Sequence, residues 1–168
     1  MPVTQFNLND GQRAERKLLI TVAEWTEGST QVREILGRRT EDSSIDYNAD
    51  IETTTDILGI NYTDLNRTQP QQDFDPYLIL GGSKLGAKLN DIRRRNALSE
   101  LDAFTVYIIT AFAGSAGSYE AEKHTGCTIV YNSIGGDANV NMPISVYFSN
   151  NITTGTVDKL SDDFTFTS

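Results

Sequence analysis

Apolar and polar residues alternate along much of this chain, which is the period of a half-buried strand and not of a helix. The most regular stretch is 45–57. Ile45, Tyr47, Ala49, Ile51, Thr53, Thr55 and Ile57 take its odd positions, and Asp46, Asn48, Asp50, Glu52, Thr54 and Asp56 its even ones. Drawn as one strand, the segment would run roughly 43 Å at about 3.3 Å per residue, well beyond the usual strand. It is therefore either an unusually long strand or a hairpin of two, turning near 48–50. In both cases Asp46, Asp50, Glu52 and Asp56 share one face.

The same reading predicts a first strand over 18–26, a turn at 27–29 and a second strand over 31–39. Residues 59–80 read as a strand, a long loop containing Pro70 and Pro76, and a short apolar segment. Gly81 and Gly82 then punctuate the chain, and Ser83 is a suitable N-cap. Leu85, Leu89 and Ile92 follow at i, i+4 and i+7, the stripe of one amphipathic helix predicted over 84–96. Arg93, Arg94 and Arg95 sit where cations oppose the negative end of its dipole.

The last third returns to strands. Residues 104–112 are apolar on both faces, as in a central buried strand, and 114–118 make a turn. Residues 120–131 give another strand or pair, and Gly135, Gly136 and Asp137 another turn. Ile144, Val146 and Phe148 alternate with Ser145, Tyr147 and Ser149, and Val157, Phe164 and Phe166 close the chain. Nineteen threonines with many Ile, Val and Tyr agree with strands. The sum is a mainly β chain: an antiparallel β-sandwich or barrel of about eight strands with one flanking α-helix. Its 168 residues suit a single domain over 1–168, with 1–16 a flexible N-terminal segment.

Charge sharpens this picture. Against 14 Lys+Arg stand 23 Asp+Glu, net −9, which disfavours broad binding to phosphates. The imbalance is local: residues 41–80 hold nine acids and one base, net −8, whereas 81–100 are net +3. Such a block is either a solvated face or a surface that repels an anion. One cysteine, Cys127, excludes an internal disulfide, and one His with one Cys excludes the common zinc sites. The polar N-terminus reads as lacking a secretory signal, and the longest apolar run, 104–113, is about half a membrane span.

Candidate chemistry fails on inspection. Gly81 and Gly86 have P-loop spacing, but Ala87 stands where Lys is required, leaving a glycine turn that starts a helix. Asp46, Asn48 and Asp50 imitate the start of a calcium loop, but Ile51 and Ile57 replace its Gly and its bidentate Glu. His124 and Cys127, three apart on a strand, are expected on opposite faces and out of reach of each other. No carboxylate pair is set apart for acid–base work. Asn61, Asn66 and Asn151 begin N-x-Thr triplets without a secretory context, and Trp25 reads as a core or interface aromatic. The expectation is a protein that is not an enzyme and takes no cofactor or metal.

Two long stretches resemble a known family. RTEDSSIDYNADIETTTDILGINYTDLNRTQPQQDFDPYLILGG (39–82) and GSYEAEKHTGCTIVYNSIGGDANVNMPISVYFSNNITTGTVD (117–158) resemble bacteriophage tail tube proteins, also called major tail proteins. The resemblance implies a β-sandwich or barrel with a flanking helix, shared with inner tubes of contractile tails, phage-tail-like bacteriocins and type VI secretion tubes. It implies hexameric rings stacked into a hollow tube for genome delivery, in which long strands from each subunit join into a barrel around the lumen. The implied partners are further copies of the chain, a tape measure, a tail terminator and a baseplate or tip. DNA would pass without specific binding, and no membrane is involved. The implied place is the virion tail, after synthesis in the bacterial host cytoplasm.

Under that resemblance the odd face of 45–57 would pack on the sandwich. Asp46, Asp50, Glu52 and Asp56 would line the channel, although an outer face would give the same alternation. Arg93, Arg94 and Arg95 would meet the acidic block across ring interfaces. The competing reading is a monomeric β-sandwich module for carbohydrate or peptide. It would expose aromatics in a groove, whereas Tyr and Phe here alternate as core positions do. Replacing Asp50 and Glu52 together by Lys should leave folding intact and impair assembly or DNA passage. Unchanged infectivity of a phage carrying both would count against any lumenal position.

Overall fold

The computed structural model describes residues 3–168. Its strands are β1 (Leu19–Glu27), β2 (Thr30–Ile35), β3 (Ile45–Asp46), β4 (Asp50–Thr55), β5 (Asn61–Arg67), β6 (Gln71–Phe74), β7 (Phe104–Ser115), β8 (Ser118–Tyr131), β9 (Ile144–Tyr147), β10 (Ile152–Val157) and β11 (Phe166–Thr167). One α-helix, α1 (Lys84–Arg95), lies between β6 and β7. All strand pairs are antiparallel, so the fold is the expected β-sandwich with one flanking helix.

Hydrogen bonding runs in the order β2-β1-β7-β8-β9-β6-β3, with β10 also on β8 and β11 on β10. The strand that joins the layers is β8. Its first part pairs with β7 and β10, and Thr128, Ile129, Val130 and Tyr131 pair with β9. The change falls at a bulge: Cys127 faces Phe104 and Thr125 faces Thr105, which leaves Gly126 without a partner at φ +79°. A left-handed residue inserted this way bends a strand and resets its side-chain parity. His124 and Cys127 are consequently both buried, and both reach Ser149. This corrects the expectation of opposite faces, which counted an unbroken period of two.

The main core lies between the two layers. Ala23, Trp25, Val106 and Ile108 come from one, Phe74, Ile129, Ile144 and Val146 from the other, and α1 adds Leu85, Leu89 and Ile92, all fully buried. The glycine segment before α1 is a helix start: the Ser83 hydroxyl accepts from Gly86 N. Glu34 of β2 accepts from Leu85 N at 2.6 Å, setting a carboxylate at the positive helix end. Asn96, left-handed at φ 54°, ends the helix one residue before the predicted limit.

A second cluster, Val22, Tyr107, Ile109 and Ala121, covers the other face of β1, β7 and β8 and is roofed by Val157 and Phe164. One buried charge fastens that roof. Glu24 is 4% exposed and takes the Arg33 Nε at 2.6 Å and the Tyr107 hydroxyl at 3.2 Å. Arg33 also donates to the Phe164 carbonyl, and its guanidinium sits 4.2 Å from that ring.

Of the N-terminal segment 1–16, residues 1 and 2 lie outside the described part. Asn7 N donates to Phe112 O beside β7, and Arg16–Leu18 form a short 3-10 turn.

Removing Arg33 strands a nearly buried carboxylate, so Arg33→Ala should cost about 3 kcal/mol in chemical denaturation. Amide exchange should rise first at Val157 and Phe164, with partial recovery in Arg33→Lys.

Candidate assembly surface

The alternating segment is neither of the two forms expected of it. The chain breaks at 47–49, where Asn48 takes φ 47°, its N–H bonds the Asp46 carboxylate and its side chain donates to Gln69 O at 2.9 Å. Before the break, β3 joins the sandwich through β6. After it, β4 pairs with β5 alone, and the two strands form a separate two-stranded sheet. The hairpin partner of β4 is thus the segment after Gly59, and the turn lies at 56–60.

That turn follows from its residues. Gly59 N donates to Asp56 O at 3.1 Å and Asp56 N to Ile60 O at 3.0 Å. Gly59 takes φ +78°, giving a type I turn closed by a left-handed glycine. The Asp56 carboxylate accepts from Ile60 N at 3.0 Å, Leu58 N at 2.8 Å and the Tyr62 hydroxyl at 3.1 Å. These donors, the Ile60 amide above all, hold the Asp56 carboxyl below the usual carboxylate range. Asp56 is therefore the residue that shapes the tip.

Every residue of β4 and β5 is exposed. One face carries Ile51 opposite Leu65, with Thr53 opposite Thr63 and Thr55 opposite Asn61. The other carries Glu52 opposite Asp64 and Thr54 opposite Tyr62. At the tip Ile57 is 102% exposed and Leu58 is 77% exposed. Of the odd positions expected to pack on the sandwich, Ile45 does so, whereas Tyr47, Ile51 and Ile57 are uncovered, as are their hairpin neighbours Leu58 and Leu65. An isolated two-stranded hairpin is marginal in water, and this one also displays its apolar residues to it.

The four acids do not act as one row. Asp46 belongs to β3 and bonds the turn at Asn48. Asp50 stands at the hairpin root, 3.8 Å from Arg67. Glu52 lies mid-strand, and Asp56 is committed to the tip. The missing member is Asp64, which faces Glu52 directly; among the described residues neither has a cation within 4.0 Å. Like charges opposite each other destabilise a hairpin by a few tenths of a kcal/mol. The Asp56–Gly59 spacing was the signal that could have identified this turn and so placed Asp64.

The three arginines also separate. Arg95 bonds Asp91 and Glu100, and with Lys88 it holds the Glu100 carboxyl down to about 2. Arg93 bonds the Asn90 side chain at 2.8 Å. Only Arg94 of the three has no side-chain partner among the described residues, and it is exposed.

No protein-family model and no curated protein matches this sequence. Solved structures do. A chain of the anti-feeding prophage tube-terminating cap aligns with a TM-score of 0.52 at 14% identity, over 93% of this chain and 99% of that one. A chain of the sheath–tube complex of an extracellular contractile injection system, in its extended state, gives 0.51 at 12% identity, over 88% and 94%. The protein therefore shares its fold with chains of contractile injection particles, over nearly their full length.

The lowered pKa of Asp56 makes the turn acid-sensitive with a definite sign. Its contribution is complete above the ordinary carboxylate range and is lost as pH falls through the depressed value. Amide protection of Leu58 and Ile60 should persist at neutral and mildly acidic pH and vanish only in stronger acid. In Asp56→Ala, hydrogen exchange at both should be fast even at pH 7.

Proposed function

We propose that this chain is a structural subunit of a phage tail or phage-tail-like injection particle, joining copies of itself into stacked hexameric rings around a channel. The observation that carries the reading is the β4–β5 hairpin. It projects a paired but otherwise unsupported sheet, with apolar residues on one face and at the tip that none of the described residues covers. A surface of that kind is an interaction site, and the shared fold supplies the setting. The sixfold number rests on the family resemblance.

The lumenal role for Asp46, Asp50, Glu52 and Asp56 depended on the odd face lying on the sandwich. With that face free, we place the hairpin at a contact between copies. The chain's excess of acid still suits a conduit, since a wall poor in cations does not hold phosphates. The remaining partners follow the same reading: a tape measure, a terminator and a baseplate, with DNA passing through and no catalysis by the subunit.

A second reading is favoured by the cap chain among the similar structures: a terminator that adds one layer and stops. Negative-stain microscopy of the purified, concentrated protein separates the two, since a subunit gives stacks of many rings and a cap a single layer. Replacing Ile57 and Leu58 together by Asp should leave circular dichroism unchanged and abolish the assemblies in sedimentation. A wild-type chain that stays a globular monomer at every concentration would exclude both.

A further inference from the structure

The hairpin tip has a counterpart elsewhere on the same chain. A cavity of about 370 Å³ opens beside β1, β2 and β6. Leu19, Ile20, Ile35, Leu36 and Phe74 give it an apolar lining. Its buried polar groups already have partners: the Thr21 hydroxyl donates to Gln72 Oε1 at 2.7 Å, and Gln72 Nε2 donates to Ser43 Oγ at 3.2 Å. An aliphatic occupant would therefore strand no polar atom.

The rim is cationic. Arg16 donates to Leu19 O at 2.7 Å and Ser43 O at 2.8 Å, so its charge meets only backbone carbonyls. Arg38 and Arg39 lie between the lining residues Gly37 and Thr40, are exposed, and make no ion pair among the described residues. Lys17 on the lining is paired with Glu15, and Glu41 is the lining's one acid. The rim thus holds more cations than carboxylates, with Arg16, Arg38 and Arg39 outside any ion pair, while Glu52 and Asp64 on the hairpin are carboxylates without cations among the described residues.

We infer that the hairpin tip of one copy seats Ile57 and Leu58 in this recess of a second copy. The acidic face, from Asp56 back to Glu52 and Asp64, then lies against the second copy's Arg16, Arg38 and Arg39. The inference rests on the assembly reading above and names the receiving surface. The exposure of Ile57 and Leu58 shows that a chain does not fill its own recess. Knob and recess belong to different surfaces, so each copy gives one tip and receives one. Where a copy receives its tip from one neighbour and gives its own to another, the contact is heterologous and propagates into rings or stacks, whereas a reciprocal exchange would stop at a dimer. Burial supplies the attraction, and the charges choose the orientation.

Cysteine cross-linking tests it. The double variant Glu41→Cys/Leu58→Cys, oxidised after assembly, should give a ladder of disulfide-linked multimers on a non-reducing gel. Each single variant should stay monomeric there, Cys127 being buried. Arg38→Glu with Arg39→Glu should raise the concentration needed for assembly at least tenfold, and Glu52→Arg with Asp64→Arg in the same chain should restore it. Normal rings or tubes without a ladder overturn the recess and leave the proposed function standing. Self-linking of Leu58→Cys alone places tip against tip and also overturns it. A wild-type chain that forms no assemblies removes the proposed function, and this inference with it.

Discussion

The fold depends on one strand belonging to two layers. β8 is the longest strand, and the bulge at Gly126 lets its first part bond β7 and β10 and its last part bond β9. A straight strand of that length would hold all its neighbours in one twisted sheet. The bend folds β9, β6 and β3 over β1 and β7 and creates the space that Trp25, Phe74, Ile129 and the α1 leucines fill. The same bend places His124 and Cys127 inside, where their polar atoms bond backbone groups around Ser149 and one nearby carboxylate, Glu122.

Two further devices close the body. Glu34 carries a carboxylate from β2 to the amino end of α1, and Glu24 carries one from β1 to Arg33, which in turn grips the C-terminal segment at Phe164. Both are acids held by donors from another element or strand. Four further acids, Asp50, Glu52, Asp56 and Asp64, stand on the hairpin, which takes no part in either core.

That division gives the chain a closed body and one open element. The body satisfies its buried side-chain polar atoms among the described residues. The hairpin keeps its own ladder but leaves its apolar face, its tip and an unpaired like-charge couple for something else to complete. Under the proposed assembly, association would cover apolar area and set cations against the opposed carboxylates in one step.

Local chemistry made most of the elements readable. The helix announced itself by Ser83, the Leu85–Leu89–Ile92 stripe and the basic last turn, and the apolar run of β7 announced a central strand, because capping and periodicity depend only on nearby residues. The acidic block and its alternation were equally plain. What alternation could not decide was what each face meets. Period two states that the sides of a strand differ; it does not say whether the apolar side lies on its own core or on another molecule. The break at Asn48, the partnership of β4 with β5 and the pairing of Glu52 with Asp64 depend on contacts between residues distant in the chain. The bulge at Gly126 is likewise visible only in the register with β7. Sequence by itself determined a β chain with one capped helix and one acidic segment. Tertiary structure decided that the β4–β5 hairpin within this segment stands away from the core, because only packing distinguishes a covered apolar face from an open one.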